Sequence, residues 1–475
     1  MKAILLKLLG RSFILMIVVP IMPIECIASD VSKQISSQAS PPEILSPVQM
    51  KEDIDFLVKT IKEVHPNMYA YMSREDFENV LKKTRQACEG GNMGVEIFYR
   101  HAAWLAGQLK NGHTKVYPPK RWHDYIGKVF PLFWKLDEDK VRLYKGPYLD
   151  KRHWGATVLT INGKPALEIM RYYSSLWARE VRGYNPDIGC MVKYLWRSMA
   201  LDFGENELEL ELKNQDGQVE RVVVKAVSIK DALKGQKTKT KPVKWSPVTY
   251  SYRDDCQTGL MKIRSFGDAI KFREEIKNAF SDLKAKRAKN LIIDVRGCPG
   301  GSTKFSDELL GYLTDKEYTH WQKYKYRYSK LYQQQKGKHG FLVFTGSVRT
   351  VRPKPIKPIA NPLRFNGDLY VLIDGRSNST SIDFAGTVKY YKLGTLIGQE
   401  TGDTMACYGD VLPFKLPNSK LKGIVACRYF EMPGTTKDNA TQGVQPDYYV
   451  ANSLEDSWNK KDRVMEFVHE LCSCD

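Results

Sequence analysis

Three short segments carry residue types that chemistry needs. The first is Asp294-Val-Arg-Gly297-Cys-Pro-Gly300-Gly301-Ser302. It follows an apolar run, and closely spaced glycines after a strand let backbone N–H groups face a ligand. It is neither a dinucleotide nor a phosphate loop, because the Gly-x-Gly-x-x-Gly and Gly-Lys-Ser/Thr spacings are both missing. The second is Asp374-Gly-Arg-Ser377-Asn-Ser379-Thr-Ser381-Ile-Asp-Phe-Ala385. A serine where a buried strand turns into a helix holds its hydroxyl clear of the sheet. The first amides of the helix then offer donors to a developing oxyanion. The plainer role for such a serine is an N-cap, and local pattern does not rank Ser377, Ser379 and Ser381. The third is Leu109-Lys-Asn-Gly112-His113-Thr-Lys-Val, where a histidine after a glycine ends a helical stretch and can project into a cleft.

The elements that must position these segments follow from periodicity. From Val48 to Leu109 apolar residues recur at three- and four-residue steps, as in Ile54, Leu57, Val58, Ile61 and Val64, so this segment is expected to be helical. Residues 119–245 read as short strands at Val129–Trp134, Val141–Tyr144, Ala156–Ile161 and Leu208–Leu212, with an Asn162-Gly163 hairpin turn. A polar break at Lys234–Val243 marks a boundary. Beyond Ser246 come a buried strand at Asn290–Val295, a helix at Phe305–Leu313, a strand at Leu369–Asp374, a helix at Ile382–Tyr391 and a strand at Thr395–Gly398. Strand, helix and strand in alternation describe an α/β core with a largely parallel sheet. Ligands gather at the carboxyl ends of such strands, where both turns fall.

The chain opens with Lys2, Lys7 and Arg11 before an apolar run, Ser12–Ile24, and then Cys26-Ile-Ala28. That is the form of a secretory signal peptide with cleavage after Ala28; a retained anchor is the alternative, weakened by Pro20 and Pro23. Glu25 argues against lipid attachment at Cys26. The expected location is the periplasm or cell envelope of a bacterium, or secretion, with no integral membrane segment after cleavage. Export permits disulfides, and Cys407 and Cys427 flank a short β-like stretch that could bring them together. Residues 29–46 are rich in Ser, Gln and Pro and read as a linker.

The 475 residues are 42% hydrophobic and 11% aromatic. That excludes a disordered chain, and only the N-terminal run nears membrane-spanning length, which excludes a polytopic membrane protein. Nine cysteines are too few for a disulfide-framed fold of this size. The formal charge is +19, but the cations are spread along the chain with no zinc-finger or RNA-binding motif, so nucleic acid is not an expected partner. No His-Glu-x-x-His or other metal pattern occurs, and neither metal nor cofactor is expected.

Taken in order, Asn111-Gly-His113-Thr, Asp294-Val-Arg-Gly-Cys298-Pro-Gly300-Gly301, Ser379-Thr-Ser-Ile382-Asp383-Phe-Ala385, Gly398-Gln-Glu400-Thr-Gly402 and Gly443-Val-Gln-Pro446-Asp447 resemble the S41 serine peptidases. That family includes the C-terminal processing proteases and tricorn protease. The resemblance spans residues 50–455 and implies a ClpP/crotonase-like core with a parallel-rich sheet. An N-terminal helical segment (47–118) and a PDZ-like β-rich domain (119–245) would precede a peptidase core (246–456), and a terminal helix (457–475) would follow. It selects Ser379 as nucleophile and His113 as general base, with backbone N–H groups of Thr380 and of Gly300 or Gly301 as oxyanion hole. Asp438 is the nearest candidate for the carboxylate that orients the histidine. The branch that uses a Ser/Lys pair carries its lysine after the Gly-Glu-x-Thr turn. Here no lysine occurs between Lys392 and Lys415, and Asp403-Thr404 stands there instead. Ile382 replaces the family's glutamate, Asn111 its aspartate and Cys298 its asparagine. The implied substrate is a peptide or protein. The competing readings are a catalytically weak relative that binds peptides or other ligands, and a basic envelope protein that binds polyanions.

Overall fold

The computed structural model describes residues 44–119, 127–136, 139–181, 192–234, 245–336 and 346–473. The expected signal peptide, most of the linker and most of the break at 234–243 lie outside the described residues.

Three helices open the chain. Helix α1 (Pro47–Val64) starts at a capping box between Ser46 and Gln49 with proline at its first position. Helix α2 (Arg74–Glu89) is capped by Ser73. Helix α3 (Val95–Gly107) is buried along almost its whole surface, so it forms the centre of this region rather than a flank. The chain then turns through Asn111–Thr114 into strand β1 (Lys115–Val116), which pairs with Gly423 and Ile424 far downstream. That pairing delivers the His113 turn to the other end of the protein.

The middle region is an antiparallel sheet of β2 (Phe133–Leu136), β3 (Val141–Lys145), β4 (Thr157–Ile161), β5 (Glu207–Lys213) and β6 (Val219–Lys225), in order β6-β5-β4-β3-β2. Asn162 and Gly163 both take positive φ, as a two-residue hairpin turn requires. The expected strand Val129–Trp134 is divided: Lys128–Val129 pairs with Val227–Ser228, and β2 begins at Phe133. Two helices, α4 (Ala166–Ser175) and α5 (Val192–Phe203), belong to this region. Arg100 of α3 forms a buried ion pair with Asp202 of α5, and Tyr173 of α4 donates its hydroxyl to the same carboxylate at 2.6 Å.

The last region is built on a six-stranded sheet. It contains β7 (Val248–Arg253), β8 (Thr258–Ile263) and β9 (Asn290–Asp294), with helix α6 (Ala269–Ala285) between β8 and β9. Helix α7 (Thr303–Leu310) follows β9, then β10 (Lys323–Arg327), β11 (Val348–Val351), β12 (Asp368–Ile373), helix α8 (Thr380–Tyr390) and β13 (Thr395–Gly398). A long hairpin, β14 (Ala406–Lys415) and β15 (Lys422–Glu431), precedes β16 (Tyr448–Tyr449) and helices α9 (Leu454–Trp458) and α10 (Arg463–Leu471). The sheet order is β7-β8-β9-β12-β13-β16, parallel throughout except at β7. Helices α6, α7 and α8 cover one face and α10 the other. Burial on both sides is why β9 and β12 read as unbroken apolar runs. A second, antiparallel sheet, β11-β10-β15-β14, takes in β1 at β15.

The register of the long hairpin corrects one expectation. Cys407 faces Phe430 across β14 and β15 rather than Cys427, and both cysteines are buried and outside any disulfide. Among the described residues, Cys256 is disulfide-bonded. No helix among the described residues is long and apolar enough to cross a membrane.

Candidate active site

The Ser377–Ser381 turn and the Gly297–Gly301 turn leave the carboxyl ends of the neighbouring strands β12 and β9, and hydrogen bonds lace them together. Gly297 N–H donates to Asp374 Oδ1 at 2.8 Å and Asn378 N–H to the Cys298 carbonyl at 3.0 Å. The hydroxyls of Ser377 and Ser381 donate to the carbonyls of Val295 and Cys298 at 2.9 and 3.0 Å. Both serines are fully buried, so their oxygens are committed to holding the two turns in register.

Ser379 differs on every count. It is partly exposed, and it sits at the N-cap of α8 without making a side-chain cap bond. Its backbone is at φ 52° and ψ −125°, a conformation that costs a non-glycine residue on the order of 1–3 kcal/mol. A strained, uncommitted serine at a strand-to-helix turn is the geometry of a nucleophile elbow. The structure thus separates three serines that local sequence left equal.

The glycines pack against this elbow. A side-chain carbon at Gly300, whose φ is 94°, would stand 2.7 Å from the Asn378 carbonyl and 2.8 Å from Thr380 N. The N–H of Gly300 is directed at the Cys298 thiol beneath it. Those of Gly301 and Thr380 make no hydrogen bond among the described residues, and Thr380 opens α8, where amides lack intrahelical partners. At the root of the turn, Arg296 bonds Asp294 at 2.9 Å and Asp462, the N-cap of α10, at 2.8 Å.

His113 arrives from the opposite end of the sequence. Its N–H donates to Asn111 Oδ1 at 2.9 Å, while Asn111 Nδ2 meets His65 Nε2 at 2.7 Å and Thr114 Oγ1 at 3.2 Å. An aspartate could accept the first bond but not offer the amide hydrogens to Thr114, which accounts for asparagine at this position. His113 Nδ1 is buried with no partner among the described residues. Burial lowers the pKa of the imidazole below its ordinary value, and the charge of Asp403 opposes that shift.

Asp403 joins the two halves. Its Oδ2 accepts the backbone N–H of Ser379 at 2.6 Å. A side chain at Gly112 would stand 3.7 Å from its Oδ1. Its charge also acts on Lys115, whose pKa burial nonetheless lowers to about 8. The carboxylates that act on His113 are Asp403 and Asp410; Asp438 lies on an exposed turn whose recorded bonds use its backbone. Ile382, at the place of the family's glutamate, is fully buried. Beside it Asp383 accepts Trp321 Nε1–H at 3.1 Å, and burial raises its pKa to about 6.

The middle region contributes residues that sequence reasoning did not single out. Arg179 donates to the Gly375 carbonyl in the elbow turn, and Glu180 is buried beside the His113 turn. No local motif marks either one. Lys115 and Asp403 lie within two residues of His113 and Gly402, so the segments that flagged the site also flagged them. No metal-binding group of three or more His, Cys, Asp or Glu side chains occurs among the described residues.

Comparison with known proteins agrees with this architecture. Residues 257–450 match the family described as Peptidase family S41. Mature CPAF is similar in structure, with a TM-score of 0.57 at 14% identity over 90% of this chain and 97% of that chain. CPAF complexed with lactacystin gives 0.56 at 14% identity, over 90% and 98%. The photosystem II D1 C-terminal processing protease gives 0.43 at 14% identity, over 85% and 93%. At 14% identity the likeness to CPAF is one of fold. No curated protein matches the chain in sequence.

Proposed function

We propose, from the match of residues 257–450 to peptidase family S41, that this chain is an exported serine peptidase of that family working through an acyl-enzyme. Ser379 Oγ attacks the scissile carbonyl carbon while His113 takes the hydroxyl proton. The developing oxyanion is met by the N–H groups of Thr380 and Gly301, with Gly300 leaving the space it needs. His113 then returns the proton to the leaving amine, and water attacks the acyl-enzyme by the same route in reverse. Asp403, rather than the Asp438 suggested by the resemblance, supports the charged imidazole. Burial, with Lys115 adding to it, holds the His113 pKa below its ordinary value against the pull of that carboxylate.

The observation that carries this reading is the contrast among the three serines: Ser377 and Ser381 spend their hydroxyls on the glycine turn, while Ser379 stands strained, partly exposed and without a cap bond. The signal-like residues 1–28 support export. The test is an unbiased peptide library incubated with the mature chain and with Ser379→Ala. Cleavage by the first alone supports the reading; cleavage by both, or by neither, overturns it. Lactacystin, present in the CPAF complex, is a second probe, expected to modify the wild type and leave Ser379→Ala untouched.

A further inference from the structure

We infer that Glu180, from the segment that follows α4 in the middle region, is a positioning residue for His113. The inference rests on the peptidase reading above and adds a third region to the site. Glu180 is 2% exposed. Its Oε1 accepts the Tyr71 hydroxyl at 2.8 Å and the Tyr408 N–H at 3.2 Å. The N–H of Gly112 is directed at the same carboxyl group. Glu180 therefore holds the Tyr408 backbone directly and stands beside Gly112, the residue before His113. On the same segment, Val181 N–H donates to the Lys110 carbonyl at 2.8 Å, and Arg179 reaches Gly375 beside the elbow. One short stretch thus fixes both turns that must meet.

The arrangement goes beyond cementing three regions. Apolar packing would join them at less cost, because a buried carboxyl group with an unpartnered oxygen is unfavourable, and Glu180 Oε2 has no hydrogen-bond partner among the described residues. What the carboxyl supplies, and an apolar side chain could not, is an acceptor shared by Tyr71 and Tyr408 beside the Gly112 turn. Burial holds its pKa well above the usual carboxylate range, and glutamine is the close isostere that keeps the accepting oxygen.

The experiment compares wild type, Glu180→Ala and Glu180→Gln for kcat and KM on a cleaved peptide, with phosphonate titration of Ser379 counting competent sites. Hydrogen exchange at the Gly112 amide is followed in parallel. In Glu180→Ala, kcat per titrated site is expected to fall about ten-fold or more with KM within about two-fold, and Gly112 to exchange faster. Glu180→Gln should restore both. Unchanged kcat per titrated site in the alanine variant overturns the inference, as does failure of glutamine to restore it. If Glu180→Ala does not fold, Tyr71→Phe removes one donor alone; a fall of about two-fold or more in kcat supports the inference, and none overturns it. A wild type that cleaves nothing overturns the peptidase reading instead, and Gly112 exchange still reports whether Glu180 holds the turn.

Discussion

Asp403 accepts the backbone N–H of Ser379 at 2.6 Å while its charge acts on His113. One carboxylate thus addresses two residues that lie 266 positions apart in the sequence, 379 against 113. The bond also decides which amide remains for chemistry. With Ser379 N–H occupied, the donor left at the elbow is Thr380 N–H.

The first prediction concerns that pair of free amides. Gly300→Ala places a methyl group against Asn378 and Thr380 N and adds strain at φ 94°. Turnover should fall by about 10²–10³, the cost typical of a lost oxyanion donor, while circular dichroism shows a folded protein. Wild-type turnover in this variant would contradict the placement of the hole.

His113→Ala should lower kcat by several orders of magnitude in steady-state assays. The acid side of the pH profile carries a second expectation. The base must be neutral to accept a proton, and burial lowers its pKa. The acid limb of kcat/KM should therefore fall below the 6.5 of a free imidazole. A limb above that value would mean that Asp403 outweighs burial.

Acid should also weaken the fold through histidines outside the site. Burial lowers His65 to about 3 and His101 to about 4. Unfolded, both protonate near 6.5. Between 6.5 and those lowered values the unfolded chain binds the extra protons, so stability falls as pH falls through that window. Each histidine contributes a slope of up to about 1.4 kcal/mol per pH unit. In urea titrations spanning this window, His101→Gln should be shallower than wild type by about that amount.

The joint between the helical and middle regions should be intolerant of half-removal. Side chains of Arg100 and Asp202 are 6% and 5% exposed, and Arg100→Met strands a buried carboxylate beside Tyr173. The expected loss is about 3–5 kcal/mol in denaturant midpoint analysis. Arg100→Met combined with Asp202→Leu should recover much of it, since no unpaired charge remains.

Much of the core was legible because the physics behind it is local. Strands β9 and β12 are buried on both faces, and runs such as Leu291–Ile293 have no amphipathic ambiguity. The Asn162-Gly163 turn was legible because few residues accept its backbone angles. The glycine turn, the serine turn and His113 were visible as unusual residue types at element ends. Their ranking was not: whether Ser377 or Ser379 is free depends on the carbonyl of Val295 in another strand. Glu180 was invisible for the same reason, since its role lies in Tyr71, Gly112 and Tyr408, each supplied by a distant stretch. The stretch between Cys407 and Cys427 was legible only as short and β-like, because Gly409, Pro413 and Gly423 interrupt the pattern of the long hairpin β14–β15, and the register of that hairpin sets Cys407 against Phe430.

The clamp at the base of the glycine turn has a consequence for biosynthesis. Trp458 Nε1–H donates to the Tyr144 carbonyl at 2.8 Å in the middle sheet, and four residues later Asp462 grips Arg296. A nascent chain halted between Ser379 and Asp462 already contains the serine and the histidine, yet Arg296 at the root of its glycine turn lacks the Asp462 partner. Translation must therefore pass Asp462 before this last tie between the C-terminal helix and the glycine turn can form.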